Sequence, residues 1–159
     1  MTETPLPQNV YRLVQKEFDA IPGSPWVYWI GKPIRSLFET LPKLDKVAHP
    51  AVGLQTGDNS RFLRFWWEIG KRNIALGCKD HSEAIATNKR WFPYMKGGSY
   101  RKWYGNQEYV VNWMRDGSEI RSLIPISVIR NYGYYLQEGV TWTDLGAKGF
   151  SARFTPNGF

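Results

Sequence analysis

Between Lys89 and Asn106 the sequence carries five cations, Lys89, Arg90, Lys96, Arg101 and Lys102, and no carboxylate. Large rings stand between them: Trp91, Phe92, Tyr94, Tyr100, Trp103 and Tyr104. Gly97-Gly98 and Gly105-Asn106 interrupt the run. Such pairs favour turns, so the chain is committed to short elements here rather than one long helix or strand. Two uses of the segment are open. Cations draw phosphates and release their counterions, rings stack on bases, and glycines let backbone N–H groups approach an anion. Equally, the same residues make a β-hairpin with solvated cations and buried rings.

The rest of the composition narrows the partners without choosing a fold. The net charge of +7 favours an anionic partner, either nucleic acid or an acidic surface. Aromatic residues make up 16% of the chain, with Trp at 8, so rings partly replace the Leu and Val of an ordinary core. Rings with N–H and O–H groups suit surfaces as well as interiors. A length of 159 residues fits one domain, or one domain with an extra arm. The single cysteine, Cys78, excludes an internal disulfide and suits a reducing compartment. With only His49 and His81 available, it has no ligand set for zinc and reads as structural. No run of about 20 apolar residues is present to cross a membrane, and the N-terminus lacks the basic-then-apolar pattern of a secretory signal.

Periodicity gives a mixed α/β reading of the α+β kind: a twisted, mainly antiparallel sheet with a few helices. Residues 1–20 form an N-terminal arm in which Val10, Leu13, Val14 and Phe18 predict a helix over Asn9 to Ala20. Pro22 and Pro25 end it. Trp26 to Ile30 is rich in β-formers and predicts a strand. Pro33 and the stripe Ile34, Leu37, Phe38 and Leu41 predict a helix over Lys32 to Leu41. A Pro- and Lys-rich connector, Pro42 to Pro50, follows. Alternation from Phe62 to Ile69 predicts a strand after the turn Thr56-Gly57-Asp58-Asn59.

Gly70 to Lys89 reads as irregular, with a short helix around Ser82 to Thr87. Tyr100 to Tyr104 and Glu108 to Trp113 read as two strands joined across Gly105-Asn106-Gln107. A helix is expected over Asp116 to Leu123, and strands over Val140 to Leu145 and Phe150 to Phe154. Tyr132 to Gln137 fits either state. The alternation places Trp26, Trp29, Trp66 and Trp67 in a packed core in preference to a base-stacking surface. The ending Phe154-Thr-Pro-Asn-Gly-Phe159 stops on an apolar residue directly after turn residues, and reads as a chain cut inside a fold.

Catalytic chemistry has little to draw on. There is no G-x-x-x-x-G-K-[ST], no G-x-S-x-G and no H-E-x-x-H. Asp45, Asp58, Asp80, Asp116 and Asp144 are scattered and read as caps or turn residues. No catalytic, cofactor or metal residue is assigned. Thr56-Gly57-Asp58-Asn59 with Arg61 and Arg64 has two readings. It is a tight turn offering N–H groups, the Asn59 amide and an arginine for phosphate or guanine, or it is a turn leading into a strand with arginines in water. Lys96-Gly97-Gly98 has the same two.

The words G-L-Q-T-G-D-N-S-R-F-L-R-F-W-W-E-I (53–69) and W-F-P-Y-M-K-G-G-S-Y-R-K-W-Y-G-N-Q-E-Y-V-V-N-W (91–113) carry a resemblance. So do I-P-G-S-P-W-V-Y-W (21–29), G-V-T-W-T (139–143) and F-S-A-R-F-T-P-N-G-F (150–159). From about Phe18 to Phe159 the chain resembles the target-recognition region of the adenine-specific DNA methyltransferases of BREX phage-defence systems, the PglX family. Type IIG restriction-modification enzymes have similar regions.

The resemblance implies a DNA target-recognition domain over 21–159, truncated at its C-terminus, in a cytoplasmic protein. Its partners would be double-stranded DNA and a methyltransferase catalytic domain lying upstream in the parent enzyme. S-adenosylmethionine is implied for that parent and not for this chain. R-W-F-P-Y (90–94) lacks the Asn and second Pro of the family's catalytic motif. The pattern departs from the family's between Asp116 and Tyr135, where Leu123-Ile-Pro-Ile-Ser-Val-Ile-Arg is more apolar.

On this reading Arg61, Lys96, Arg101 and Lys102 contact phosphates. Arg64, Asn59, Asn106 and Gln107 reach base edges, because arginine suits guanine and the amides suit adenine. Thr56, Gly57, Gly97, Gly98 and Tyr104 complete the expected DNA-contact set. Two other classes remain: an enzyme complete in itself, and an aromatic-rich module for a non-DNA ligand such as a glycan.

Overall fold

The computed structural model describes residues 10–143 and 148–159. The chain divides into two compact units, Met1–Pro50 and Ala51–Phe159.

In the first unit, helix α1 spans Lys32–Thr40. Pro33 sits in its first turn, where a missing N–H costs nothing. Its Arg35 is buried and lies 3.8 Å from Glu17. The helix expected over Asn9 to Ala20 is reduced to a 3-10 turn, Gln15–Phe18; Asn9 itself lies outside the described residues. The Glu17 carboxylate accepts the Val14 N–H at 3.1 Å and so starts the helical turn at Gln15. Trp26 to Ile30 is a turn and not a strand: Val27 N–H donates to Pro25 and Ile30 N–H to Val27, which uses locally the groups a ladder would need. Trp26 is 81% and Trp29 58% exposed, against the core placement that alternation suggested. Without a pleat there is no buried face for them to join.

The second unit holds the site. Strand β1 (Leu54–Gln55) pairs antiparallel with β5 (Val128–Ile129). Strands β2 (Leu63–Phe65), β3 (Trp91–Tyr94) and β4 (Tyr109–Asn112) form a sheet in the order β2-β4-β3, both pairs antiparallel. Strand β6 (Gly139–Trp142) pairs antiparallel with β7 (Ala152–Thr155). Helices α2 (Asn59–Phe62) and α3 (Trp66–Ile69) flank β2, α4 (His81–Ala86) precedes β3, and α5 (Met114–Arg121) follows β4. The architecture is the mixed, mainly antiparallel α+β arrangement expected. Among the described residues, no helix is long and apolar enough to cross a membrane.

Register sets what each face of the central sheet carries. Leu63, Val111 and Phe92 are cross-strand neighbours, and all are buried in the core with Phe62, Trp113 and Ile120. Side chains alternate along a strand, so Arg64, Val110, Pro93, Trp91 and Asn112 share the opposite face. Pro93 is tolerated because β3 is an outer strand, where a missing donor breaks no inner ladder. Cys78 belongs to the core, and burial pushes its thiol pKa up.

Four expectations need correction here. The single strand over Phe62 to Ile69 is a turn, a three-residue strand and a turn. Glu68 ends the strand by accepting the Phe65 N–H at 2.6 Å. Trp66 and Trp67 fall beyond it and are 48% and 53% exposed. The partners of β4 are β3 and β2, not Tyr100 to Tyr104, which forms no strand. That segment follows β7 instead: Trp103 N–H donates to Ala152, and Phe154 N–H donates back to Trp103.

The fourth correction concerns the helix expected over Asp116 to Leu123. Arg115, Asp116 and Gly117 all have left-handed backbone, with φ of 51°, 56° and 69°. Regular helical turn begins only after them.

The expected helix over Ser82 to Thr87 and the last two strands are present, each within a few residues of its predicted bounds. The final residues of the strand expected over Val140 to Leu145, Asp144 and Leu145, lie outside the described residues. Arg153 of β7 is 1% exposed, and its guanidinium donates to Thr143 Oγ1 at 3.1 Å and Ser151 Oγ at 2.7 Å. It is a polar pin inside the β6-β7 pair.

Candidate nucleic-acid interface

Two arginines lie beside the Trp91 ring, and a third is joined to one of them through a carboxylate. Arg64 comes from β2 itself, with its guanidinium 5.9 Å from the Trp91 ring centre. Its Nη1 donates to the carbonyls of Ser60 and Leu63, both at 2.6 Å, which fixes the fork against α2. Arg90 enters from the start of β3 and lies 5.5 Å from the same ring. Arg61 projects from α2, 4.9 Å from the Phe62 ring. A guanidinium over a ring keeps its N–H edge free while its flat face is held.

Glu119 joins two of these cations. Its carboxylate lies 3.2 Å from Arg61 Nη2 and 3.8 Å from Arg90 Nη2. The buried amide of Asn112 donates to it at 3.2 Å. The carboxyl pKa is held below the usual range, first by the Asn112 hydrogen bond and then by Arg61 and Arg90. Glu119 reaches this position because the left-handed run Arg115 to Gly117 turns the chain back over β4. That run is braced by Asp116, which accepts from the Tyr132 hydroxyl at 2.7 Å and from Arg121 at 2.8 Å. His81 stacks on Tyr132 with ring centres 3.7 Å apart and lies 3.3 Å from Asp116.

The turn before α2 is built largely for the fold. Asp58 caps α2, accepting from Arg61 N–H at 3.0 Å and from Ser60 at 2.7 Å. Its carboxyl pKa is lowered, by Ser60 first and then by the Arg61 N–H. That N–H is therefore taken and is not offered outward. Thr56 is buried and donates to Asn59 Oδ1 at 2.8 Å, so the Asn59 carbonyl is engaged while the residue stays exposed. Gly57 has φ +76°, and a Cβ there would stand 2.9 Å from the backbone of Ile126 and Ser127. Only glycine fits that approach.

The expected residues of the basic-aromatic stretch occupy a second place. Lys96 sits 4.9 Å from the Tyr109 ring. Lys102 lies 6.0 Å from Tyr100 and 5.9 Å from Trp103. Arg101 is exposed, as are Trp103 at 70% and Tyr104 at 65%. The loop is clamped to β7: Ser151 Oγ accepts from Arg101 N–H at 3.2 Å and donates to the Arg101 carbonyl at 2.6 Å. Asn106 is 4% exposed, and its amide donates to Ser99, so its side chain ties the loop together. Gly98 faces that amide, and Gly97 also has positive φ. Gln107 is half-buried, and its amide nitrogen has no partner among the described residues.

The structure thus brings Arg61 and Arg64 together and leaves Lys96, Arg101 and Lys102 on the loop. It adds Arg90, Trp91, Asn112 and Glu119, which sequence reasoning did not single out as site residues. The one signal available was the strand register: with Trp91 opposite Asn112, both must share a face with Arg64.

No protein-family model matches the chain. It is 39% identical over 157 residues to the adenine-specific methyltransferase PglX of Lacticaseibacillus casei (strain Zhang), covering 94% of this chain and 13% of that protein. It is 41% identical over 148 residues to the adenine-specific methyltransferase BrxX of Escherichia coli O9:H4 (strain HS), covering 92% of this chain and 11% of that protein. The chain is therefore, along nearly its whole length, a relative of one segment of the PglX and BrxX adenine-specific methyltransferases, as residues 53–69 and 91–113 suggested.

Proposed function

We propose that this chain recognises specific sequences in double-stranded DNA, as the target-reading part of an adenine-specific methyltransferase acting in phage defence. The observation that carries the reading is the set Arg61, Arg64 and Arg90, with Arg64 and Arg90 beside the Trp91 ring and Arg61 joined to Arg90 through Glu119, in a chain related to two such enzymes. Arginine forks suit guanine O6 and N7 as well as phosphate. The loop cations Lys96, Arg101 and Lys102, with exposed Trp103 and Tyr104, add a sequence-independent grip on the backbone.

The methyl-transfer chemistry belongs to the catalytic part of such an enzyme, which binds S-adenosylmethionine. No step of the transfer is assigned to the residues of this chain. The partner of this chain is that catalytic part, with duplex DNA between them.

The test is affinity for duplex DNA of the Arg61→Ala, Arg64→Ala and Arg101→Ala/Lys102→Ala variants. Loss at the first two with relaxed sequence preference, and uniform loss across sequences at the third, is expected. Unchanged affinity in all of them would overturn this assignment of contacts, and a folded chain that binds no duplex would remove DNA as the ligand and leave the exposed rings to a glycan.

A further inference from the structure

Glu119 is a carboxylate placed in the middle of a basic surface, and stability does not explain it. Exposed ion pairs contribute little, and its own side chain is 42% exposed, with Arg61 and Arg90 at 50% and 52%. What the pairings do is geometric. Each arginine has its Nη2 near the carboxylate, at 3.2 Å and 3.8 Å, and a ring beside its guanidinium, while half of each side chain stays exposed to a ligand. The buried Asn112 amide ties the carboxylate to the sheet. It also subtracts one charge from the patch, which weakens attraction to any phosphate regardless of sequence.

We infer that Glu119 is a specificity-determining positioning residue: it orients Arg61 and Arg90 as base-reading forks and restrains their non-specific capture of phosphate. It acts through the arginines and needs no contact with a base itself. This inference rests on the DNA-reading function proposed above. A consequence is that removing the charge should leave binding to random DNA as strong or stronger, and binding to chosen DNA no stronger.

The experiment uses the full chain. Duplexes preferred by the wild type are selected from a random pool, and affinity for a preferred duplex and for a scrambled one is measured for wild type and Glu119→Gln, with circular dichroism confirming the fold. The expected result is a fall of about tenfold in the preferred-to-scrambled ratio, the size of one bidentate contact, with scrambled-duplex affinity equal or raised. Glu119→Asp, which keeps the charge, should recover part of the ratio. A ratio unchanged in Glu119→Gln overturns the inference. So does an equal loss on both duplexes, which would mean a merely structural role. A folded wild type that binds no duplex would instead overturn the DNA-reading function, and this inference with it.

Discussion

The Tyr132 hydroxyl donates to the Asp116 carboxylate across 2.7 Å, and Asp116 is the middle of three consecutive left-handed residues. Left-handed backbone is costly for residues with a Cβ, so Arg115 and Asp116 persist there only because their surroundings hold them. Arg121 adds a second bond to the same carboxylate at 2.8 Å. Through this brace the chain doubles back after β4 and delivers Glu119 to Arg61 and Arg90.

The third left-handed residue allows no side chain. A Cβ on Gly117 would stand 2.4 Å from the ring of the buried Trp113. Gly117→Ala should therefore cost about 2–4 kcal/mol, from combined backbone strain and overpacking, read as a lowered urea midpoint. An unchanged midpoint would mean that the turn is not held as described.

Alkaline stability should depend on two phenols. Burial, followed by the Asp116 hydrogen bond and charge, pushes the Tyr132 pKa from 10.0 up to about 12. Burial likewise raises Tyr135 to about 12. A raised folded-state pKa means that the fold favours the protonated phenol. Its contribution is complete below pH 10 and is lost as pH rises toward 12. Stability should fall across that window, and Tyr132→Phe should flatten the fall. A wild-type profile level through the same range would contradict the placement of both rings.

Acid should act in the opposite sense. Asp58 is lowered by its bond from Ser60 and then by the Arg61 N–H, and Asp80 by Ser82 and then by the Glu83 N–H. Glu119 is lowered chiefly by Asn112. Groups with depressed folded-state pKa stabilise the fold above their ordinary range, near pH 4, and the contribution is lost as pH falls through the folded value. Asp58→Asn keeps the shape of the α2 cap and should show a shallower acid limb than wild type in a thermal melt series. Superimposable limbs would rule out Asp58 as a charged cap.

Burial separates rings that look alike in sequence. Phe62 is fully buried, whereas Trp66 is 48% exposed. Phe62→Ala should cost about 3–5 kcal/mol by the loss of a core ring. Trp66→Ala should cost under about 1 kcal/mol, since it empties no cavity. Equal losses in chemical denaturation would return Trp66 to the core.

That contrast also shows what the sequence could reveal. Helix α1 was legible because Pro33 and the stripe Ile34, Leu37, Phe38 and Leu41 agree with one another. Strand β4 was legible in Tyr109 to Asn112, and the β6-β7 pair in its β-formers on either side of a glycine. Phe62 to Ile69 was misread because alternation is satisfied equally by a strand and by two turns flanking a short strand. The Glu68 bond to Phe65 N–H decides between them, and it has no periodic signature. Strand β3 was missed because Pro93 argues against a strand unless its edge position is known. At the site, Arg61 and Arg64 stood out by residue type and turn context. Glu119 did not, because its place depends on three left-handed residues and a bond to a strand seven positions earlier.

The most direct test of the central claim is binding of the chain to random duplex DNA across a salt series. Affinity should fall linearly on logarithmic axes, by a slope of about 0.9 for each phosphate neutralised, and Arg101→Ala/Lys102→Ala should make the line shallower. A folded chain that binds no duplex at low salt, or one whose binding ignores salt, would contradict the account.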